Sequence, residues 1–190
     1  MKLLLFTCLV LTVNVTFGQI PEEKLKVIKA VIDKEVYEGR EMRLVLQMDS
    51  VLQGDKLSYF ENEIDKTVYL SKSYKVKGNW GSENIDSVVF SYDEKEFIIA
   101  SLRKSLKHKW RKGEIGDYEL ILYKDLWFYL KENRDNTALF ISVPVLLRKD
   151  KLAVIYYANL IGKGGSNGLL IYKKAEDKWV EYMGIARGEW

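Results

Sequence analysis

The stretch "LAVIYYANL", Leu152 to Leu160, is apolar in both of its alternating sets: Leu152, Val154 and Tyr156 in one, Ala153, Ile155 and Tyr157 in the other. Successive residues of a strand point to opposite faces of its sheet. A strand with this pattern has no side to give to water. It must lie inside a sheet, with something covering each face.

Its neighbours in sequence continue the theme. "TALFISVPVLL" precedes it, and "GLLIYKK" and "KWVEYMGIA" follow, joined by "RKDK", a glycine-rich stretch and "AEDK". Strand-like runs joined by short polar connections indicate an antiparallel meander. Pro144 lacks an amide donor, so the first run is an edge strand or carries a bulge. In the last run Trp179, Met183 and Ile185 are expected to point one way, with Glu181 interrupting.

Upstream, "PEEKLKVIKAVIDKEVYEG" reads as a helix. Pro21 suits a first helical position, and Glu22 and Glu23 suit the positive end of the dipole. Leu25, Ile28, Ile32 and Val36 form an apolar stripe that Val27 and Val31 widen, and Gly39 is a plausible stop. Met42, Leu44, Leu46 and Met48 alternate as a strand. "KTVYLSKSYKV", with Val68 and Leu70 on one side, and "IDSVVFSY" are two more. Ser91 can cap a second helix, in which Ile99, Leu102, Leu106 and Trp110 recur at helical spacing. "DYELILYKDLWFYLKEN" reads as a strand to Tyr123 and then a short helical or extended piece. The predicted fold is α+β: an antiparallel sheet ending in a four-stranded C-terminal meander, with an N-terminal helix and a second helix near residues 93–110.

The first eighteen residues differ from the rest. "MKLLLFTCLVLTVNVTFGQ" has one lysine and then an apolar run from Leu3 to Phe17, shorter than the ~20 apolar residues of a membrane span. Thr16 and Gly18 are small and two apart, as a signal peptidase requires, so cleavage is expected between Gly18 and Gln19. Residues 1–18 are then a signal peptide and 19–190 a single domain, secreted or periplasmic, with no membrane span after cleavage. The only cysteine, Cys8, leaves with the leader, so the mature domain relies on its core rather than on disulfides. A net charge of +3 on 190 residues does not argue for nucleic acid or an anionic membrane.

Four of the thirteen glycines fall within "GKGGSNG". As a phosphate cradle it fails. The Walker spacing is absent, G-x-G-x-x-G fits only with one residue too many, and a strand rather than a helix follows. It reads instead as a long hairpin loop with Asn167-Gly168 favouring a turn. Gly162, Lys163, Gly164, Gly165, Ser166, Asn167 and Gly168 are the candidate ligand or partner loop, since long loops on sheets often carry function. "RKSLKHKWRK" places six bases around His108 and Trp110. Bases at a helix C-terminus complement the dipole, so they read as a solvated face rather than a nucleic-acid site. His108 is the only histidine, which argues against a zinc site or a Ser-His-Asp triad. No cofactor or catalytic set is expected. Paired carboxylates remain open as chemistry, although Asp86, Asp93, Asp117 and Asp125 read as caps, turns or solvated residues.

Ser142, Pro144, Tyr156, Tyr157, Gly162, Gly165, Tyr172, Lys173, Lys174, Trp179 and Trp190 together resemble a pattern found in uncharacterised secreted proteins of Bacteroidota. In those proteins a Ser-x-Pro strand, a Tyr-rich strand, a Gly-rich loop and a Trp strand succeed one another, and Gln19 after a small residue resembles the usual end of their signal peptides. The resemblance covers about half the chain. It implies export and the C-terminal meander but no activity, and the cysteines frequent in that loop are absent here. The expectation is a non-enzymatic domain binding a protein or small ligand in the cell envelope. The alternative is an envelope glycan or peptide hydrolase using two carboxylates.

Overall fold

The computed structural model describes residues 20–35, 42–45, 73–77, 87–132, 136–162 and 164–189. The leader through Gly18, the expected helix extension Val36 to Gly39, and Leu46, Met48, Val68, Leu70, Asp86, Lys163 and Trp190 lie outside these.

Helix α1 (Glu22–Glu35) begins as its sequence requires: the Pro21 carbonyl accepts from the amides of Lys24 and Leu25, and two glutamates occupy the first turn. Val27, Ile28, Val31 and Ile32 are buried, so the apolar stripe centres on these four and leaves Leu25 at its margin. Strand β1 (Met42–Val45) follows, then an antiparallel pair, β2 (Ser73–Lys77) and β3 (Ser87–Ser91). Helix α2 (Tyr92–Ser105) starts with a reciprocal capping box: the Ser91 hydroxyl accepts from the Glu94 amide at 3.1 Å, and the Glu94 carboxylate accepts from the Ser91 amide at 3.0 Å. The helix ends at Ser105, before the spacing reaches Trp110. Strand β4 (Leu120–Ile121), a 3₁₀ turn and helix α3 (Leu126–Glu132) complete the middle of the chain.

The C-terminal run of strands is β5 (Thr137–Ile141), β6 (Val145–Leu147), β7 (Leu152–Ile161), β8 (Gly164–Ala175) and β9 (Lys178–Glu189). Seven strands form one sheet in the order β4-β1-β5-β7-β8-β9, with β6 also on β7. The C-terminal strands pair antiparallel as expected, but β1 runs parallel to both β4 and β5, so the sheet is mixed. The long stretch between β1 and β4 provides the room that a parallel connection needs.

Strand β7 is buried along nine of its ten residues. Its even-numbered side chains Val154, Tyr156 and Ala158 join Ile98, Leu102, Leu126 and Leu130 of α2 and α3 in one core. Its odd-numbered Ala153, Ile155 and Tyr157 join Val27, Ile28, Val31 and Ile32 of α1 in another. The result is three layers, helix on sheet on helix. Trp110 does not extend the α2 stripe. It lies in the α1-side core, where its Nε1 donates to the Ile141 carbonyl at 2.8 Å.

Pro144 interrupts the first C-terminal run as its missing donor requires. Ile141 pairs with Tyr157 and Val145 with Val154, so three residues of the run face two of β7. Ser142 repairs the ladder: its amide donates to the Tyr156 carbonyl at 2.9 Å, and its hydroxyl accepts from the Tyr156 amide at 2.9 Å. A second irregularity corrects the expectation for β9. The register shifts between Ile171 and Tyr172, placing Tyr182 as an extra residue. Side-chain parity therefore reverses: Met183 and Ile185 enter the α2-side core and Trp179 the α1-side core.

Ser142→Ala leaves the buried Tyr156 amide without an acceptor, and the expected loss in urea unfolding is about 1–3 kcal/mol. A change below about 0.5 kcal/mol, the level of an ordinary surface substitution, would show that the ladder does not depend on that hydroxyl.

Candidate functional site

The glycine-rich stretch is not the long loop that its composition suggests. Gly164, Gly165, Ser166, Asn167 and Gly168 belong to β8 and pair with Ile161, Leu160, Asn159, Ala158 and Tyr157. Only Gly162, at φ +57°, and Lys163 separate the two strands. A two-residue connection needs positive φ, which glycine supplies at little cost. Asn167 is buried rather than at a turn, and Gly168 stands at the register shift against β9, a position typical of a strand glycine. Among the described residues the stretch is therefore mostly strand rather than loop.

A depression forms elsewhere, at the outer edge of β6. Strand β5 continues the sheet into β1, whereas β6 pairs only with β7 among the described residues. The open flank is walled by the first turn of α1 on one side and by α2 on the other. Phe97, Ser101, Lys104, Ser105 and His108 recur along one side of α2 and its end at steps of three and four residues. The two serines are too small to fill the space against α1. What remains is a cavity of about 440 Å³ with a floor of Val143, Pro144 and Val145. A second depression of about 460 Å³ adjoins it through Pro21, Lys24, Ser101 and Val145. These sizes suit a small ligand, for which pockets run to about 300–1,000 Å³.

The charges around this groove are unevenly matched. Glu22, Glu23 and Asp150 border the second depression. Glu23 is fully engaged: Lys174 Nζ donates to it at 2.8 Å, Lys26 Nζ at 2.9 Å and Trp179 Nε1 at 3.3 Å. The hydrogen bond from Lys174, then that from Lys26, holds its carboxyl at about 2. Glu22 also pairs with Lys26, at 3.0 Å. Lys24, Lys104 and Lys107 line the first depression with no ion pair within 4 Å among the described residues. Burial pulls the Lys24 ammonium below its ordinary value; Asp150 opposes the shift and Lys104 adds to it. His108 stands 3.2 Å from Glu114 without hydrogen-bond alignment and rests edge-on against Trp110 at 4.6 Å.

Asp150 reaches its place through an unusual turn. Arg148, Lys149 and Asp150 all have φ between 54° and 58°, three successive left-handed residues without glycine. Each such conformation costs a non-glycine residue roughly 1–2 kcal/mol. Arg148 offsets part of that by a two-pronged ion pair to Glu94, at 2.9 and 3.0 Å, and by donating to the Val89 carbonyl at 2.6 Å. The same guanidinium lowers the Glu94 carboxyl below its usual range.

The groove is assembled from three distant segments, so no local pattern in the sequence marks the whole of it. Lys104 and Lys107 belong to the basic run that reads as a solvated face, but their neighbour Lys24 belongs to α1. The available local signal was Ser101 and Ser105, small residues one turn apart beside lysines. The acids weighed for catalysis do not converge: Asp93, Asp117 and Asp125 are each exposed on separate segments. Among the described residues no three His, Cys, Asp or Glu side chains gather as a metal site, and no helix is long and apolar enough to cross a membrane. No protein-family model, curated protein or solved structure matches this chain.

Glu23 ties α1 to β8 and β9, and the sign of its pH dependence follows from its depressed pKa. The group contributes stability above the ordinary carboxylate value of 4.5, and that contribution is lost as pH falls toward about 2. Glu23→Gln is therefore expected to be less stable than the parent at neutral pH, with the gap closing between those two values. Urea unfolding across a pH series measures it; parallel stability curves would contradict the assignment.

Proposed function

We propose that the protein is an exported, non-enzymatic binding domain that works in the periplasm or outside the cell and holds a small ligand in the groove between α1 and α2. The observation that carries this reading is the pairing imbalance in a ligand-sized depression. Three lysines line it without carboxylate partners among the described residues, on a floor of valine and proline. A protein that needed those lysines only for solubility would gain nothing by placing them around a hollow. Export rests on the leader "MKLLLFTCLVLTVNVTFG" and on the likeness of the C-terminal half to secreted Bacteroidota proteins. The binding site moves from the stretch Gly162 to Gly168, most of which is strand, to the open flank of β6. The hydrolase alternative has no observation in its favour, because the acids considered for it are scattered.

The test is a thermal-shift survey of anionic, neutral and cationic small molecules against the parent protein and Ser101→Trp. The indole projects from α2 into the space that Ser101 leaves open. Compounds that raise the Tm of the parent are expected to lose that effect in the variant, while the ligand-free Tm of the two proteins stays within a few degrees, as a change of about 1 kcal/mol implies. Ligands that stabilise both proteins equally would place binding elsewhere, and a survey without hits would contradict a small-molecule role.

A further inference from the structure

We infer that the groove takes a ligand with a single carboxylate head and an apolar body, the head seated among Lys24, Lys104 and Lys107 and the body lying on Val143, Pro144 and Val145. This inference rests on the groove being the binding site and adds the chemical class of what enters it.

Three features lead to that class. The first is the charge. Lys104 and Lys107 are exposed and project from the end of α2, whereas Lys24 is half-buried on α1 between the two depressions. None of the three is neutralised by an ion pair among the described residues, while the neighbouring Glu22 and Glu23 are paired with Lys26 and Lys174. An oxyanion is the partner that such a set of ammonium donors lacks, and charge-assisted hydrogen bonds to it are the strong kind.

The second feature is the floor. Pro144 has no amide hydrogen, it and Val145 are buried, and Val143 is half-buried. The side chains of this floor carry no polar atoms, so a polyhydroxylated or highly charged ligand would find no side-chain partners on it. An apolar chain or ring loses nothing by lying against it.

The third is Asp150, which borders the adjoining depression and acts electrostatically on Lys24. Its negative charge limits how much anionic charge the site accepts. With Asp150 the three lysines carry a net +2, and a monoanionic head leaves the cluster at +1, so the head stays held by an excess of positive charge.

Calorimetric titration of the purified protein with octanoate, octylammonium, octanol and inorganic phosphate tests the inference. Octanoate is expected to bind most tightly. Lys104→Met, an exposed position at which the fold loses no packing, is expected to weaken octanoate about tenfold while leaving octanol unchanged. Ser101→Trp is expected to abolish binding of both. Octylammonium or octanol matching octanoate, with loss in Ser101→Trp, would overturn the carboxylate while leaving the groove as the site. Phosphate matching octanoate would overturn the apolar body. An octanoate affinity unchanged in Lys104→Met would remove the lysines from the site. Octanoate failing to bind would also overturn the inference, and the thermal-shift survey would then judge the groove on its own.

Discussion

Strand β7 has almost no atom that water can reach, and the rest of the molecule is arranged to keep it so. Its two alternating sets of side chains require two separate cores. One is closed by α1, the other by α2 and α3. Each fully buried Leu, Ile or Val is worth about 1.5–3 kcal/mol relative to exposure, and β7 draws on that contribution from both faces. Its ladder partners follow from the same constraint: β5 and β6 on one side and β8 on the other satisfy its amides and carbonyls.

A strand held this tightly cannot absorb irregularity, so its neighbours do. The β5–β6 run accommodates Pro144 with an extra residue and uses the Ser142 hydroxyl in place of a backbone carbonyl. Strand β9 shifts register twice against β8, near Gly168 and at Tyr182. The Tyr182 shift sends Trp179 to the α1 side, where its indole meets Glu23 and joins the link that also includes Lys174. Bulges also twist an outer strand and make it a poor template for pairing with other chains.

This division explains what was legible in the sequence. The doubly apolar pattern of Leu152 to Leu160, the α1 stripe, the Ser91 cap and the break at Pro144 are local consequences of side-chain chemistry, and the structure has each of them. The parallel placement of β1 was not legible, because strand partners far apart in sequence leave no mark on either strand. The parity of Trp179 was not legible either, since nothing in "KWVEYMGIA" announces an extra residue. The glycine stretch misled for a related reason: glycines that suggest a loop also serve a strand that faces a register shift. The groove is the clearest case. Ser101, Lys104 and Lys107 can be read as one helix face, but Lys24 and Pro144 reach them only through the fold.

The groove and the central strand are connected physically. Pro144 separates β5 from the short β6, whose outer flank has no strand partner among the described residues where α1 and α2 approach each other. The account thus depends on β7 being the rigid element against which both the bulge and the groove are set. Native-state hydrogen exchange measures that most directly. The β7 amides from Val154 to Ala158 are expected to exchange only through global unfolding, with a free energy equal to that from urea denaturation. Exchange of those amides through local opening, at a free energy well below the global value and no higher than that of β9, would contradict it.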